Sequence, residues 1–189
     1  MAKILLIGDG AVGKTSLRKR FLGHGFNTSH LMTIGADFAS KKIELESGVT
    51  FIAQIWDLAG QEQFSSVRQR FFLGASAVLL VFDVTMRDSF FSIPNWLQEL
   101  FEATKGHKIP IVLVGNKVDL VDYRVVKRED AEKYLNLLRS NSFFKDIPMT
   151  YIETSAKDGT NVEEAFLWLA RELVKFPASR KPRALDSKK

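Results

Sequence analysis

Lys3-Ile4-Leu5-Leu6-Ile7-Gly8-Asp9-Gly10-Ala11-Val12-Gly13-Lys14-Thr15 is the stretch that decides the fold. Its unbroken apolar run reads as a strand buried on both faces. The segment Gly8 to Thr15 fits the spacing G-x-x-x-x-G-K-[ST], and Lys14 to Leu22 then takes up a helical pattern. A strand, a glycine loop and a helix start in this order suit the binding of a phosphate chain. Glycines let the backbone wrap closely, so that successive N–H groups point at the anion and the helix N-terminus adds partial positive charge. Lys14 supplies a mobile cation for the β- and γ-phosphates, and the Thr15 hydroxyl is a hard oxygen ligand suited to Mg²⁺. The candidate phosphate-binding residues are Gly8, Asp9, Gly10, Ala11, Val12, Gly13, Lys14, Thr15 and Ser16. A chance match in a glycine-containing turn is the alternative, and the flanking strand and helix argue against it.

Outward from this loop, short β-branched runs alternate with helical patterns, which predicts an α/β domain with a mainly parallel sheet covered by helices on both faces. Asp37 to Glu46 and Val49 to Trp56 alternate around the turn signal Ser47-Gly48 and read as an antiparallel hairpin. Ala77 to Phe82, Ile111 to Val114 and Thr150 to Glu153 read as further strands, six in all. Helices are expected at Pro94 to Ala103, with Trp96, Leu97, Leu100 and Phe101 inward, at Arg128 to Leu138, and at Val162 to Phe176. Thr160 or Asn161 is the expected cap of the last one. The expected organisation is one domain over residues 1–176, followed by a basic, disordered tail over 177–189.

Asp57 ends the third strand, at the sheet edge where ligands of parallel sheets bind. Alone it is as readily a helix cap; beside the glycine loop it is expected to hold a water of the Mg²⁺ shell. Asn116-Lys117-Val118-Asp119 follows the fifth strand at the same edge. The Asp119 carboxylate is acceptor-only, matching the paired N1–H and amino donors of guanine, whereas adenine would leave it desolvated and unpaired. Ser155-Ala156-Lys157 follows the sixth strand, and the Ala156 N–H is placed to donate to guanine O6. The Lys117 stem is expected along the base, and Phe26 either covers the ring edge or belongs to the core.

Composition sets the remaining limits. Apolar residues make up 46% of the 189-residue chain, an ordinary share for a folded domain. No cysteine is present, which excludes disulfides, Cys-based zinc sites and thiol chemistry. Five basic residues against Asp186 give the segment after Pro177 a charge of +4 of the formal +5, leaving the body near +1. A nucleic-acid-binding face is therefore not expected. The N-terminus lacks a signal-peptide layout, Ala2 argues against myristoylation, and apolar runs such as Ala75 to Phe82 are too short to span a bilayer, so a cytoplasmic monomer is expected.

Gly8 to Thr15, Thr33, Asp57-Leu58-Ala59-Gly60-Gln61-Glu62, Asn116 to Asp119 and Ser155-Ala156-Lys157 together resemble the ordered motifs of Ras-superfamily small GTPases over residues 3 to 176. Thr33-Ile34-Gly35-Ala36-Asp37-Phe38, Gln54 to Asp57 and Phe71 to Ala75 look most like the Rab branch, which is associated with vesicle trafficking. The resemblance implies a P-loop GTPase (G) domain that binds GTP or GDP with Mg²⁺ and hydrolyses GTP as a switch. It implies direct Mg²⁺ ligation by Thr15 and Thr33, sensing of the γ-phosphate by Thr33 and Gly60, and orientation of the attacking water by Gln61. Residues near 25 to 38 and 58 to 72 would be the two switches, read by effectors, exchange factors and activating proteins.

Three features depart from the Rab pattern. The cysteines that normally carry prenyl groups are missing, so at most weak electrostatic membrane contact through the tail is expected. Surplus residues lie around Arg139 to Asp146, and Leu58 and Leu73 replace more usual polar residues. No arginine lies in the first switch, and Arg68 and Arg70 read as solvated helix positions. Without an arginine at the transition state, small GTPases turn over at roughly 10⁻⁴ s⁻¹, and a supplied one gains about 10³ to 10⁵. Slow hydrolysis accelerated by a partner is therefore expected. A P-loop ATPase or nucleotide kinase would need a lid, and no arginine-rich lid segment is seen. A non-hydrolysing scaffold is the other alternative, against which stand Gln61, Gly60, Thr33 and Gly10.

Overall fold

The computed structural model describes residues 1–26 and 32–175. Asn27 to Leu31 and the segment from Phe176 onward, including the expected tail, lie outside the described residues. The strands are β1 (Ala2–Ile7), β2 (Ala36–Glu44), β3 (Thr50–Leu58), β4 (Ala77–Asp83), β5 (Ile111–Asn116) and β6 (Met149–Thr154). The helices are α1 (Lys14–Phe21), α2 (Ser65–Phe72), α3 (Arg87–Phe91), α4 (Ile93–Ala103), α5 (Arg128–Ser140) and α6 (Val162–Lys175). They form one six-stranded sheet in the order β2-β3-β1-β4-β5-β6. Only β2 and β3 run antiparallel; every other neighbouring pair is parallel.

Period-two alternation along the buried strands divides the core in two. Leu5 and Ile7 face a cluster with Phe82, Trp96, Leu97, Leu100 and Leu135 on the side of α4 and α5. Ile4 and Leu6 face the other side, with Leu17 and Phe21 of α1 and Phe166 and Leu169 of α6. The Phe21 and Phe166 rings stack at 3.9 Å between centroids, which closes that side. Because helices cover both faces, every residue of β4 is buried, which is why its sequence shows no alternation.

Several boundaries differ from the expected ones. The five-residue helix α3 is too short to show a 3.6-residue period and is missing from the sequence reading. Asn161 does not cap α6 with its side chain, which instead donates back to the Glu153 carbonyl at 2.9 Å. The surplus segment is folded: α5 runs on to Ser140, and Phe143 and Phe144 pack edge-on against Phe101 of α4. Chain order puts β1 between β3 and β4, so the connections leave β1 on opposite sides and open a crevice at its carboxyl end. The glycine loop sits there.

Candidate nucleotide-binding site

A cleft of about 490 Å³ runs along that carboxyl edge. Gly10, Ala11, Gly13, Lys14, Thr15 and Ser16 line its floor. Asn116, Lys117, Asp119, Ala156 and Lys157 line one end, with Phe26 on the wall, while Thr33, Gly60 and Gln61 line the other. Gly8, Asp9, Val12, Asp57 and Ser155 do not open onto the cleft. They support it from behind. Gly8 has φ +133°, and a Cβ there would lie 2.0 Å from the Val81 carbonyl oxygen, so the loop can leave β1 only through glycine. Val12 is fully buried in the α1 and α6 core. The Asp9 carboxylate turns away from the cleft and accepts the indole N–H of Trp96 at 2.6 Å.

Lys14 is buried at the mouth of α1, and its ammonium donates to the carbonyls of Gly8 and Asp9 at 2.6 Å each. Burial pulls its pKa down to about 8, against the attraction of Asp57 and Asp9. A cation whose hydrogen-bond partners are neutral carbonyls is poised for a stronger anionic partner. Beside it, the Thr15 hydroxyl donates to Asp57 Oδ2 at 2.5 Å. The Thr33 hydroxyl reaches the same oxygen at 3.2 Å and lies 3.0 Å from Thr15 Oγ1. Asp57 is 0% exposed, and burial raises its carboxyl pKa. Its Oδ1 is buried with no hydrogen-bond partner, which is costly for a carboxylate oxygen. Two hydroxyls and a carboxylate with an unmatched oxygen are hard ligands of the kind that Mg²⁺ takes together with phosphates and water. The donor set fits that ion. Among the described residues no group of three or more His, Asp or Glu forms a cation cage, and Mg²⁺ shared with phosphates does not need one.

At the other end the side chains are bonded to one another. Asn116 donates to the Val12 carbonyl at 2.8 Å and accepts from the Thr154 hydroxyl at 3.0 Å. It also accepts the Ala156 N–H at 3.3 Å, the group assigned by the sequence reading to guanine O6. Ser155 donates to Asp119 Oδ1 at 2.7 Å, and Lys157 Nζ stands 4.0 Å from Asp119 Oδ2. Lys117 lies in the left-handed region at φ +70°, and its ammonium is paired with buried Asp83 at 2.6 Å. Asp83 escaped the sequence reading, although it ends β4 at the same carboxyl edge that singled out Asp57.

The Gln61 amide nitrogen donates to Met32 Sδ at 2.9 Å, and its carbonyl oxygen accepts from Gln63 at 3.1 Å. A Cβ on Gly60 would lie 2.4 Å from the Asp9 carbonyl carbon and 2.5 Å from Gly10 N, so this segment packs directly on the glycine loop. Met32, Gly25, Leu120 and Lys19 also line the cleft and were not singled out from sequence. The expectation for Arg68 is overturned. It is 4% exposed rather than solvated, and it donates to Glu99 and to the carbonyls of Ala59 and Gln61. Arg70 is exposed as expected.

The Ras family model matches residues 3–175. GTP-binding protein ypt1 of Schizosaccharomyces pombe is 44% identical over 172 residues, covering 90% of this chain and 79% of that protein. Human Ras-related proteins Rab-8B and Rab-30 are 41% and 42% identical over 172 residues, each covering 91% of this chain and 78% and 79% of the relative. Proteins of this family bind guanine nucleotide and work with regulators and effectors. A strand–glycine loop–helix floor, a hydroxyl–carboxylate cluster and a carboxylate at the base end thus sit in a chain that shares two-fifths of its residues with Rab proteins along most of its length, and it belongs to the Ras family as a Rab-like GTPase that binds GTP or GDP with Mg²⁺.

Proposed function

We propose that this Rab-like switch works through the residues gathered along the cleft, as a single domain over residues 1–176 that acts as a monomer, with the basic segment 177–189 as a tail. The observation that carries the assignment is the Thr15–Asp57–Thr33 cluster with its unmatched Asp57 oxygen beside carbonyl-bound Lys14. Thr15 and Thr33 would hold Mg²⁺ directly, and Asp57 would hold water of its shell. When bound, Mg²⁺ offsets charge on the β- and γ-phosphate oxygens. Lys14 exchanges its two carbonyl partners for phosphate oxygens, and the N–H groups of Gly10 to Ser16 face the same anion. Asp119 accepts from the guanine N1–H and amino group, Ala156 N–H turns to O6, and Lys117 and Phe26 flank the base.

Hydrolysis then needs positioning more than covalent help from the protein. The Gln61 carboxamide leaves Met32 to orient a water toward the γ-phosphorus, opposite the bridging oxygen. The new P–O bond forms as the bond from the γ-phosphorus to the bridging oxygen breaks; the electron pair stays on that oxygen of GDP, and the water's proton leaves with the released phosphate. No described arginine reaches the phosphate end with a free guanidinium, because Arg68 is engaged elsewhere and Arg18 is paired with Asp37. The chain alone is therefore slow, at roughly 10⁻⁴ s⁻¹, until a partner supplies the missing charge. Chromatography of nucleotide released from the purified protein tests the base assignment; guanosine phosphates are expected. Single-turnover phosphate release tests the rate, and a value near ~1 s⁻¹ for the lone chain would refute partner dependence.

Partners read the switch through segments 25–38 and 58–72. Within them Met32, Ile34, Phe38 and Leu73 at the border are exposed apolar residues, and the Phe38 ring stacks on Trp56 at 4.8 Å, which in turn meets Phe71. Large apolar side chains facing solvent beside the γ-phosphate sensor suit a surface covered by a partner in one nucleotide state. Among the described residues no helix is long and apolar enough to cross a membrane. The tail adds attraction to anionic lipid of about 1 kcal/mol per basic residue. The Rab-like character of the chain favours vesicle trafficking as the process served.

A further inference from the structure

We infer that Arg68 is a positioning residue for hydrolysis: with Glu99 and Trp96 of α4 it holds the Gly60–Gln61 backbone in register with the glycine loop. The inference rests on the role of Gln61 proposed above. The Arg68 fork makes four hydrogen bonds. Nε and Nη2 donate to the two oxygens of Glu99 at 2.9 and 2.8 Å, a bidentate pair. Nη1 donates to the Ala59 carbonyl at 2.8 Å and to the Gln61 carbonyl at 3.0 Å. Those two carbonyls flank Gly60, the residue that packs within Cβ distance of Asp9 and Gly10. The guanidinium also lies 4.2 Å over the Trp96 ring, and the Trp96 indole N–H is bonded to Asp9 in the glycine loop. One helix, α4, thus grips the second switch through Arg68 and the glycine loop through Trp96.

A buried ion pair could serve stability alone, and removing either member of such a pair destabilises for that reason. The carbonyls separate the two roles. An ion pair requires only opposite charges, whereas two carboxylate oxygens and two carbonyls together require a planar guanidinium with several donors at fixed angles. Lysine at position 68 would keep the charge and lose the fork. The chain segment carrying Gln61 would then be free to shift, and catalytic positioning is sensitive to displacements of about 1 Å.

The test is single-turnover phosphate release from the GTP-loaded full chain with Mg²⁺, for the parent and for Arg68→Lys, Glu99→Gln, the double reversal Arg68→Glu/Glu99→Arg, and Gln61→Leu. Arg68→Lys is expected to slow hydrolysis about tenfold while GDP dissociation stays within about twofold of the parent. The double reversal restores opposite charges without donors to the carbonyls, so it should remain slow. Glu99→Gln keeps size and an acceptor oxygen but weakens the anchor, for an expected loss of about threefold, and it carries the test should Arg68→Lys not fold. A parental rate in either folded single variant, or recovery in the double reversal, overturns the inference. A parental rate in Gln61→Leu instead removes the Gln61 assignment itself. Slow Gln61→Leu with a parental rate in Arg68→Lys removes Arg68 alone.

Discussion

At the base end of the cleft, Asn116 is bonded to Val12, Thr154 and Ala156, and Asp119 to Ser155. At the phosphate end, Asp57 keeps an unmatched oxygen, Lys14 leans on carbonyls and Gln61 donates to a thioether sulfur, a weak acceptor. On the proposed assignment, guanine seats among groups already bonded to one another, with the Ala156 N–H turning from Asn116 to O6. Thr15, Thr33, Asp57 and Lys14 would gain stronger partners from a γ-phosphate with Mg²⁺, and the segments that carry them would reorder. A switch that keeps its ligand while changing its surface needs both kinds of construction. On that assignment the base end would hold GTP and GDP alike, and the phosphate end would tell them apart.

The comparison can be broken first at the base. Asp119→Asn should weaken GTP binding about 10³-fold and favour xanthine nucleotides, because an amide can donate to xanthine's extra carbonyl. Competition binding reads this directly, and a retained guanine preference would contradict the assignment. At the other end, Gln61→Leu should lower single-turnover hydrolysis about 10²-fold while GDP affinity is unchanged. Affinity and rate would then separate along the cleft. Gly10→Val sharpens the same point. A Cβ there lies 3.9 Å from Gln61 Cγ, so the added methyls would push the carboxamide aside. Phosphate release should slow about tenfold, with little change in nucleotide dissociation. The smallest effect is expected from Ser155→Ala, which removes one hydrogen bond from a carboxylate that retains Lys157 nearby. A loss of about 1 kcal/mol, or roughly fivefold in affinity for GTP and GDP equally, should appear in calorimetry.

Residues whose chemistry is local in sequence were legible before any fold was known. Gly8 to Thr15 and Ser155 to Lys157 follow strands, Asp57 and Asn116 lie at the ends of theirs, and the parallel strands bring these ends to one edge. The sheet itself was legible because β1, β4 and β5 are continuous apolar runs, while β2 and β3 alternate around Ser47-Gly48. What stayed hidden depends on residues far apart in the chain. Arg68 sits in a polar helix, and nothing nearby signals Glu99, 31 residues on, as its partner. Lys117 was expected along the base, but its pairing with Asp83 follows from the adjacency of β4 and β5. The packing of Phe143 and Phe144 stayed hidden because their partner, Phe101, is on another helix.

Asn116 has one more consequence, for how such a protein can evolve. Its amide is a three-way joint between the glycine loop at Val12, strand β6 at Thr154 and the Ala156 turn. On the proposed assignment, a replacement there would disturb the glycine loop and the Ala156 turn together. A change of nucleobase is more readily reached through Asp119, which takes no part in that joint.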